Sequence, residues 1–139
     1  MPDKLFDKFR HRIAVQQSDI DELGHVNNVI YLQWVQEVAA AHWNSLAPAD
    51  MKEQYSWVVL RHEIDYHRPA FMGDEIEGFT WVGAHQGPKM IRYVSLCKAG
   101  SQELLAEATT TWCLLDAASM RPRRISDEIN QTFSSYTAG

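Results

Sequence analysis

Residues 29–46 read VIYLQWVQEVAAAHWNSL, with neither glycine nor proline. Gln33, Gln36, Glu37 and Asn44 fall on one helical stripe, and Ile30, Tyr31, Leu32, Trp34, Val35, Val38 and Trp43 surround it. An amphipathic helix at a protein surface carries a narrower apolar arc than this. The segment therefore reads as a helix that is mostly buried, and Pro48 closes it.

Upstream lies SDIDELGHVNN (residues 18–28), whose Asp, Gly and Asn content marks a turn. Before it, Phe9, His11, Ile13 and Val15 alternate with Arg10, Arg12, Ala14 and Gln16, the period of a strand. Downstream, a polar connection runs to Ser56, and the chain then reads as strands over 57–66, 74–83, 90–98 and 104–115. Turn residues over 69–73, 85–88 and 99–102 separate them, and Ser126 reads as an N-cap before Asp127 and Glu128. Short connections predict antiparallel neighbours, since a parallel crossover takes a dozen or more residues. The expected class is α+β: a curved antiparallel sheet of about five strands wrapped around one long central helix. One sheet face cannot enclose so apolar a helix, which predicts that a second copy of the chain covers the rest, as a homodimer.

At 139 residues the chain suits a single domain, 1–139, and 45% apolar with 22% charged residues is ordinary globular composition. The net charge of −5 repels phosphate backbones and anionic membranes, so neither nucleic acid nor membrane is an expected partner. The opening MPDKLFDKFRHRI has no apolar core of a signal peptide, and no apolar run reaches the ~18–20 residues that span a bilayer, so a cytoplasmic location is expected. Cys97 and Cys113 sit in strand interiors and read as small core residues.

Chemistry concentrates in the acidic turn. Asp21 and His25 flank Gly24, and the helix begins just beyond, at Asn27 or Asn28. A helix start offers unpaired N–H groups and a positive dipole end that can hold an oxyanion. A carboxylate beside it can activate water or attack an acyl carbon itself. The same residues also suit a plain turn, with Asn27 or Asn28 as the N-cap and Asp19 or Asp21 closing an Asx-turn. Glu63, Asp65 and His67 share one strand face and have donor types for a divalent metal, but no fourth ligand accompanies them and a solvated outer face is the simpler reading. His62 lies on the opposite face with Val58, Leu60 and Ile64, placed to line a pocket or to pack in the core. Arg121, Arg123 and Arg124 form the densest basic cluster, either a solvated loop or a contact for carrier phosphates, with Lys89 a weaker candidate for the same role. No G-x-S-x-G elbow, P-loop or dinucleotide-binding glycine pattern is present.

At DIDELGHVNNVIYLQW (19–34) the sequence resembles the hotdog-fold acyl-CoA thioesterases, the group of 4-hydroxybenzoyl-CoA thioesterase. IDYHRPAFMGDEI (64–76) looks like that family's strand–Pro–Gly-Asp segment, and TTTWCLLDAASMRPRRISDEI (109–129) resembles its closing strand and tail. The resemblance implies a sheet around a central helix, pairing into homodimers and often homotetramers, and hydrolysis of a thioester without metal or other cofactor. By position, Asp21 matches the catalytic carboxylate, with backbone N–H groups near Asn27 and Asn28 as the oxyanion site. His25 assists, and Asn28 stands where many bacterial members carry His. His62 and Glu63 are candidates to complete the acyl pocket from a partner chain, and Arg123 and Arg124 to meet coenzyme A. His25 fits the His-Val-Asn-Asn form of plant acyl-carrier-protein thioesterases, which carry Asn where this chain has Leu23 and a Glu-Cys pair near Pro69-Ala70. Acyl-CoA is the expected substrate, acyl-carrier protein the other carrier, and a non-catalytic acyl-CoA-binding module the alternative function. A hydratase of the same fold would need an Asp-x-Asn-Pro-x-His pattern that the chain lacks.

Overall fold

The computed structural model describes residues 8–133. The readings of the first seven residues and of the tail after residue 133, and hence both ends of the 1–139 domain, lie outside the described residues. The elements are β1 (Phe9–Ala14), α1 (Asn28–Leu46), α2 (Ala49–Gln54), β2 (Tyr55–Tyr66), β3 (Glu75–Gln86), β4 (Lys89–Lys98), β5 (Leu104–Asp116) and α3 (Asp127–Thr132). The five strands form one antiparallel sheet in the order β1-β3-β4-β5-β2.

The sequence expectation of sequential neighbours fails at one point: β2 pairs with β5 and not with β3. Residues 67–74 cross the sheet between them. Eight extended residues reach ~26 Å, and three inter-strand steps need only about 14 Å, so a short connection suffices. This strap passes the start of α1, where the Val26 N–H donates to the Ala70 carbonyl at 2.8 Å and the Tyr31 hydroxyl to the Arg68 carbonyl at 2.9 Å. Two local expectations also change. The polar connection after Pro48 contains α2, and a bulge between Val59 and Arg61 takes Leu60 off the inner face, leaving it 52% exposed.

Helix α1 buries Tyr31, Trp34, Val35, Val38, Ala39, His42 and Trp43, while the predicted polar stripe stays exposed. Around its first half pack Ile13, Val15, Ile76, Val94, Leu96 and Leu105. Around its second half pack Met51, Val82, Leu114, Ile129 and Phe133. The last two come from α3 and its end; Ser126 caps α3 by accepting from the Ile129 N–H at 3.2 Å, as the sequence predicts. Between β3 and β4 the connection is Gly87-Pro88, with Gly87 at φ 58°, a glycine-first hairpin whose twist suits the strands.

The helix sits close on β3. A methyl group on Gly78 would overlap the branched side chain of Val38, which is fully buried and has little room to turn aside. Gly78→Ala is therefore expected to lower stability by ~1–3 kcal/mol through overpacking, read as a lower urea midpoint; an unchanged midpoint would show that α1 does not rest on this contact.

Candidate active site

The loop before α1 is closed by its own backbone. Ile20 and Val26 form an antiparallel bridge, the Asp21 N–H donates to the His25 carbonyl at 3.0 Å, and Gly24, at φ 86°, donates to the Asp21 carbonyl at 3.0 Å. Asp21 Oδ1 accepts from the Leu23 N–H at 2.9 Å, an Asx-turn, while Oδ2 has no partner among the described residues. The turn reading and the chemical reading of this residue thus occupy different oxygens. The His25 ring donates from Nδ1 to the Val26 carbonyl at 3.2 Å, which leaves Nε2 as an acceptor in the neutral ring. His25 also meets the edge of Phe71, with ring centroids 6.4 Å apart.

Asn27 is the N-cap: its side chain accepts from the Val29 N–H at 2.9 Å, its carbonyl accepts from Ile30, and its own N–H donates to the Asp19 carbonyl. The Asn28 N–H has no partner among the described residues and stands at the positive end of a 19-residue helix. Exposed Val29, Tyr66 and Phe71 lie at the same end, and the Tyr66 hydroxyl donates to the Asn28 carbonyl at 3.3 Å. Asp21, His25, Asn27 and Asn28 are therefore brought together.

The other sequence candidates are not in that cluster. His62 is half-buried between Thr110 Oγ1, 2.8 Å from its Nδ1, and the Gln36 amide, which donates to its Nε2 at 3.2 Å. Burial lowers its pKa from the usual imidazole value. Through Gln36, His62 touches a cavity of about 560 Å³ between α1 and strands β2, β4 and β5. Asp21 is not among that cavity's lining residues. Glu63 is exposed and pairs with Arg61 at 3.7 Å, and His67 pairs with Glu107 at 2.9 Å, so neither turns toward Asp65 as a metal site requires. Arg123 is held by Asp116 at 2.8 Å beside the Tyr55 ring, and Arg124 lines a second cavity with Gly87 and Ser126. Tyr55 and Tyr66 terminate opposite ends of β2, about 36 Å apart at ~3.3 Å per residue, so within one chain these arginines are remote from Asp21.

One cluster escaped the sequence reading. On β4, Met90, Arg92, Val94 and Leu96 alternate onto one buried face, so a guanidinium sits where the strand period calls for an apolar side chain. Arg92 Nη1 donates to His42 Nδ1 at 2.8 Å and to Thr80 Oγ1 at 2.9 Å. Burial pushes the Arg92 pKa down to about 9, leaving it cationic at neutral pH. Burial, then the Arg92 charge, pushes His42 down to about 3, so this imidazole is a neutral acceptor. A charged residue inside an alternating apolar run was the available signal.

Residues 6–133 match the acyl-ACP thioesterase N-terminal domain family, nearly the whole chain. The chain belongs to that family. Among curated relatives of the acyl-ACP thioesterase domain is a chloroplastic acyl-[acyl-carrier-protein] hydrolase of Cuphea viscosissima, 27% identical, matched over 92% of this chain and 33% of its own length. The chain thus spans about a third of that plant protein. A long-chain acyl-CoA thioesterase of Escherichia coli is 23% identical over 86% of this chain and 92% of its own. Of solved structures, a dynemicin thioesterase superimposes with a TM-score of 0.83 at 19% identity, covering 95% of this chain and 99% of that one. A 1,4-dihydroxy-2-naphthoyl-CoA thioesterase from Synechocystis gives 0.77 at 18% identity, covering 91% and 96%. At such identities the likeness establishes the fold, which is the hotdog fold.

The buried imidazole gives a pH prediction. The unfolded chain protonates His42 near 6.5, whereas the folded chain resists down to about 3. Stability is therefore complete above pH 6.5 and falls as pH drops toward 3, by up to about 1.4 kcal/mol per pH unit from this group; His62, shifted the same way, adds to the slope. Urea midpoints measured from pH 7.5 to 5 should fall less steeply in His42→Gln, which keeps an acceptor for Arg92; parallel curves for the two proteins would contradict the assignment.

Proposed function

We propose that the chain hydrolyses acyl thioesters, with coenzyme A as the thiol carrier and Asp21 as the catalytic carboxylate. The observation that carries this reading is Asp21 Oδ2, without a partner among the described residues, in the loop that delivers the equally unpartnered Asn28 N–H at the start of α1. A thioester carbonyl placed there is polarised by the Asn28 N–H and the helix dipole. Asp21 Oδ2 takes a proton from water as the water attacks the acyl carbon, or attacks that carbon itself to form a mixed anhydride that water then hydrolyses. The oxyanion formed is held at Asn28 while the C–S bond breaks and the thiolate leaves. His25, with Nε2 open, orients the water, and the exposed Asn27 and Asn28 amides border the substrate. Family membership supports the reaction class. Coenzyme A is chosen over acyl-carrier protein because the Escherichia coli relative that this chain matches over 92% of its length is named a long-chain acyl-CoA thioesterase.

The working unit in this proposal is at least a homodimer. Strand β2 is a sheet edge of 12 residues, and long edges open to solvent invite pairing. It also exposes Leu60 and Tyr66, and Val29 on α1 is exposed as well. A second chain on this edge puts Glu63 and His62 near the shared surface. Arg123 and Arg124 can meet the coenzyme A phosphates only if the assembly brings the far end of another chain to this helix start.

Two measurements check these points. Thiol release from a panel of aliphatic and aromatic acyl-CoAs should fall by ~10²–10⁴-fold in both Asp21→Ala and Asp21→Asn, with folding intact. Wild-type rates in Asp21→Asn would remove this carboxylate from the chemistry, and binding without thiol release by the wild type would favour a non-catalytic binding module. Sedimentation should give at least twice the 16.0 kDa chain mass; a monomer at micromolar concentration would contradict pairing through β2.

A further inference from the structure

Arg92 is 5% exposed and lines the larger cavity, yet among the described residues no carboxylate faces it. Its hydrogen bonds to described residues run from Nη1, to two neutral acceptors, and Nε and Nη2 have no partner among them. Arg10, Arg12, Arg61, Arg68 and Arg123 each face an acid. Trp57 and Trp112 also line this cavity, with their indole N–H groups buried away from its surface. The remaining wall is largely apolar, from Ala39, Trp43, Val58, Val59 and Met90. A buried cation with no counter-charge is costly, and water satisfies its hydrogen bonds without neutralising it. The cavity thus sets a buried guanidinium in a largely apolar wall, with Gln36, Asn44 and Ser56 the other polar groups of its lining, in a volume of about 560 Å³ that suits a small molecule.

We propose that this cavity binds an apolar chain or ring ending in a carboxylate, with the carboxylate on the guanidinium of Arg92. The planar fork of donors matches a carboxylate, and the indole rings of Trp43, Trp57 and Trp112 give the apolar remainder a surface to pack on. Two sources share this chemistry: the distal carboxylate of an acyl thioester, which rests on the hydrolysis proposed above, and a free carboxylic acid, which does not. His42, against which Arg92 is held, lies fourteen residues beyond Asn28. That is about 21 Å along the helix axis, so within one chain only a long acyl arm reaches from the proposed oxyanion site to Arg92.

The tryptophans in the wall make intrinsic fluorescence the readout. Decanoate should bind the wild type at least about tenfold more tightly than decanol, the share of a charge-assisted hydrogen bond. Arg92→Met should abolish that difference while leaving decanol binding unchanged, and Arg92→Lys should retain part of it. Arg92→Lys, which keeps the charge, carries the test if Arg92→Met does not fold. Equal affinity for decanoate and decanol, or a decanoate preference that neither Arg92→Met nor Arg92→Lys diminishes, would overturn the proposal. Thiol release then separates the sources. A preference for hexadecanedioyl-CoA over hexadecanoyl-CoA that Arg92→Lys diminishes identifies the distal carboxylate of a substrate; decanoate binding without that preference identifies a free acid. Failure to release thiol from any thioester overturns the hydrolytic reading and leaves the fluorescence titration to decide the cavity.

Discussion

The absence of a side chain at Gly78 lets α1 settle onto β3 at Val38, and this close approach fixes where both ends of the helix emerge. With the middle of α1 pinned to the sheet, its first residues project toward the strap of residues 67–74, which supplies the Ala70 carbonyl to Val26 and the Arg68 carbonyl to Tyr31. The Asp21 loop is thereby anchored at its exit by the strap and at its entry by the Asn27 to Asp19 bond. A carboxylate on a loop becomes as fixed in place as one on a helix. The other half of α1 lies over the buried His42–Arg92–Thr80 cluster, closed by α3 and Phe133. Two polar features thus share one apolar helix, one at its tip and one along its flank.

Those two features differ in what holds them. At the tip, backbone satisfies most of the hydrogen bonding, and among the described residues one carboxylate oxygen and one amide N–H remain unpaired, with His25 Nε2 open beside them. Such a pair costs little while solvated and gains strength when a bound substrate excludes water. On the flank, a buried guanidinium is retained with only neutral acceptors, at a cost that packing alone does not require. A core that needed nothing but apolar filling would place Leu or Met at that position.

Much of this was legible in the sequence because it follows from periodicity and punctuation. The apolar band of residues 29–46, an N-cap at one of Asn27 and Asn28 and another at Ser126, and the strand alternation around Ile13 survive folding because each is set by its neighbours in the chain. The exchange of β2 to the far edge was not legible, since an eight-residue strap permits either a neighbouring or a crossing path. The place of Leu60 was lost to a bulge, which no alternation pattern announces. Within the site, the motif placed Asp21, His25, Asn27 and Asn28 together because they are adjacent in sequence. It could not show that Arg123 and Arg124 sit at the other end of β2, nor that Arg92, held against His42, meets Trp57 and Trp112 around one cavity, because these depend on contacts between distant segments.

The central claim is that the reacting carbonyl sits on the Asn28 N–H, beside Asp21. Its most direct test is a titration of the amide-labelled protein with an acyl-CoA analogue whose thioester sulfur is replaced by a methylene group, giving a non-hydrolysable ketone, followed by NMR. The account predicts a downfield shift of the Asn28 amide proton as a new hydrogen bond forms there, with smaller changes at Asp21 and His25. Saturating analogue that leaves Asn28 unmoved while perturbing amides elsewhere would contradict it.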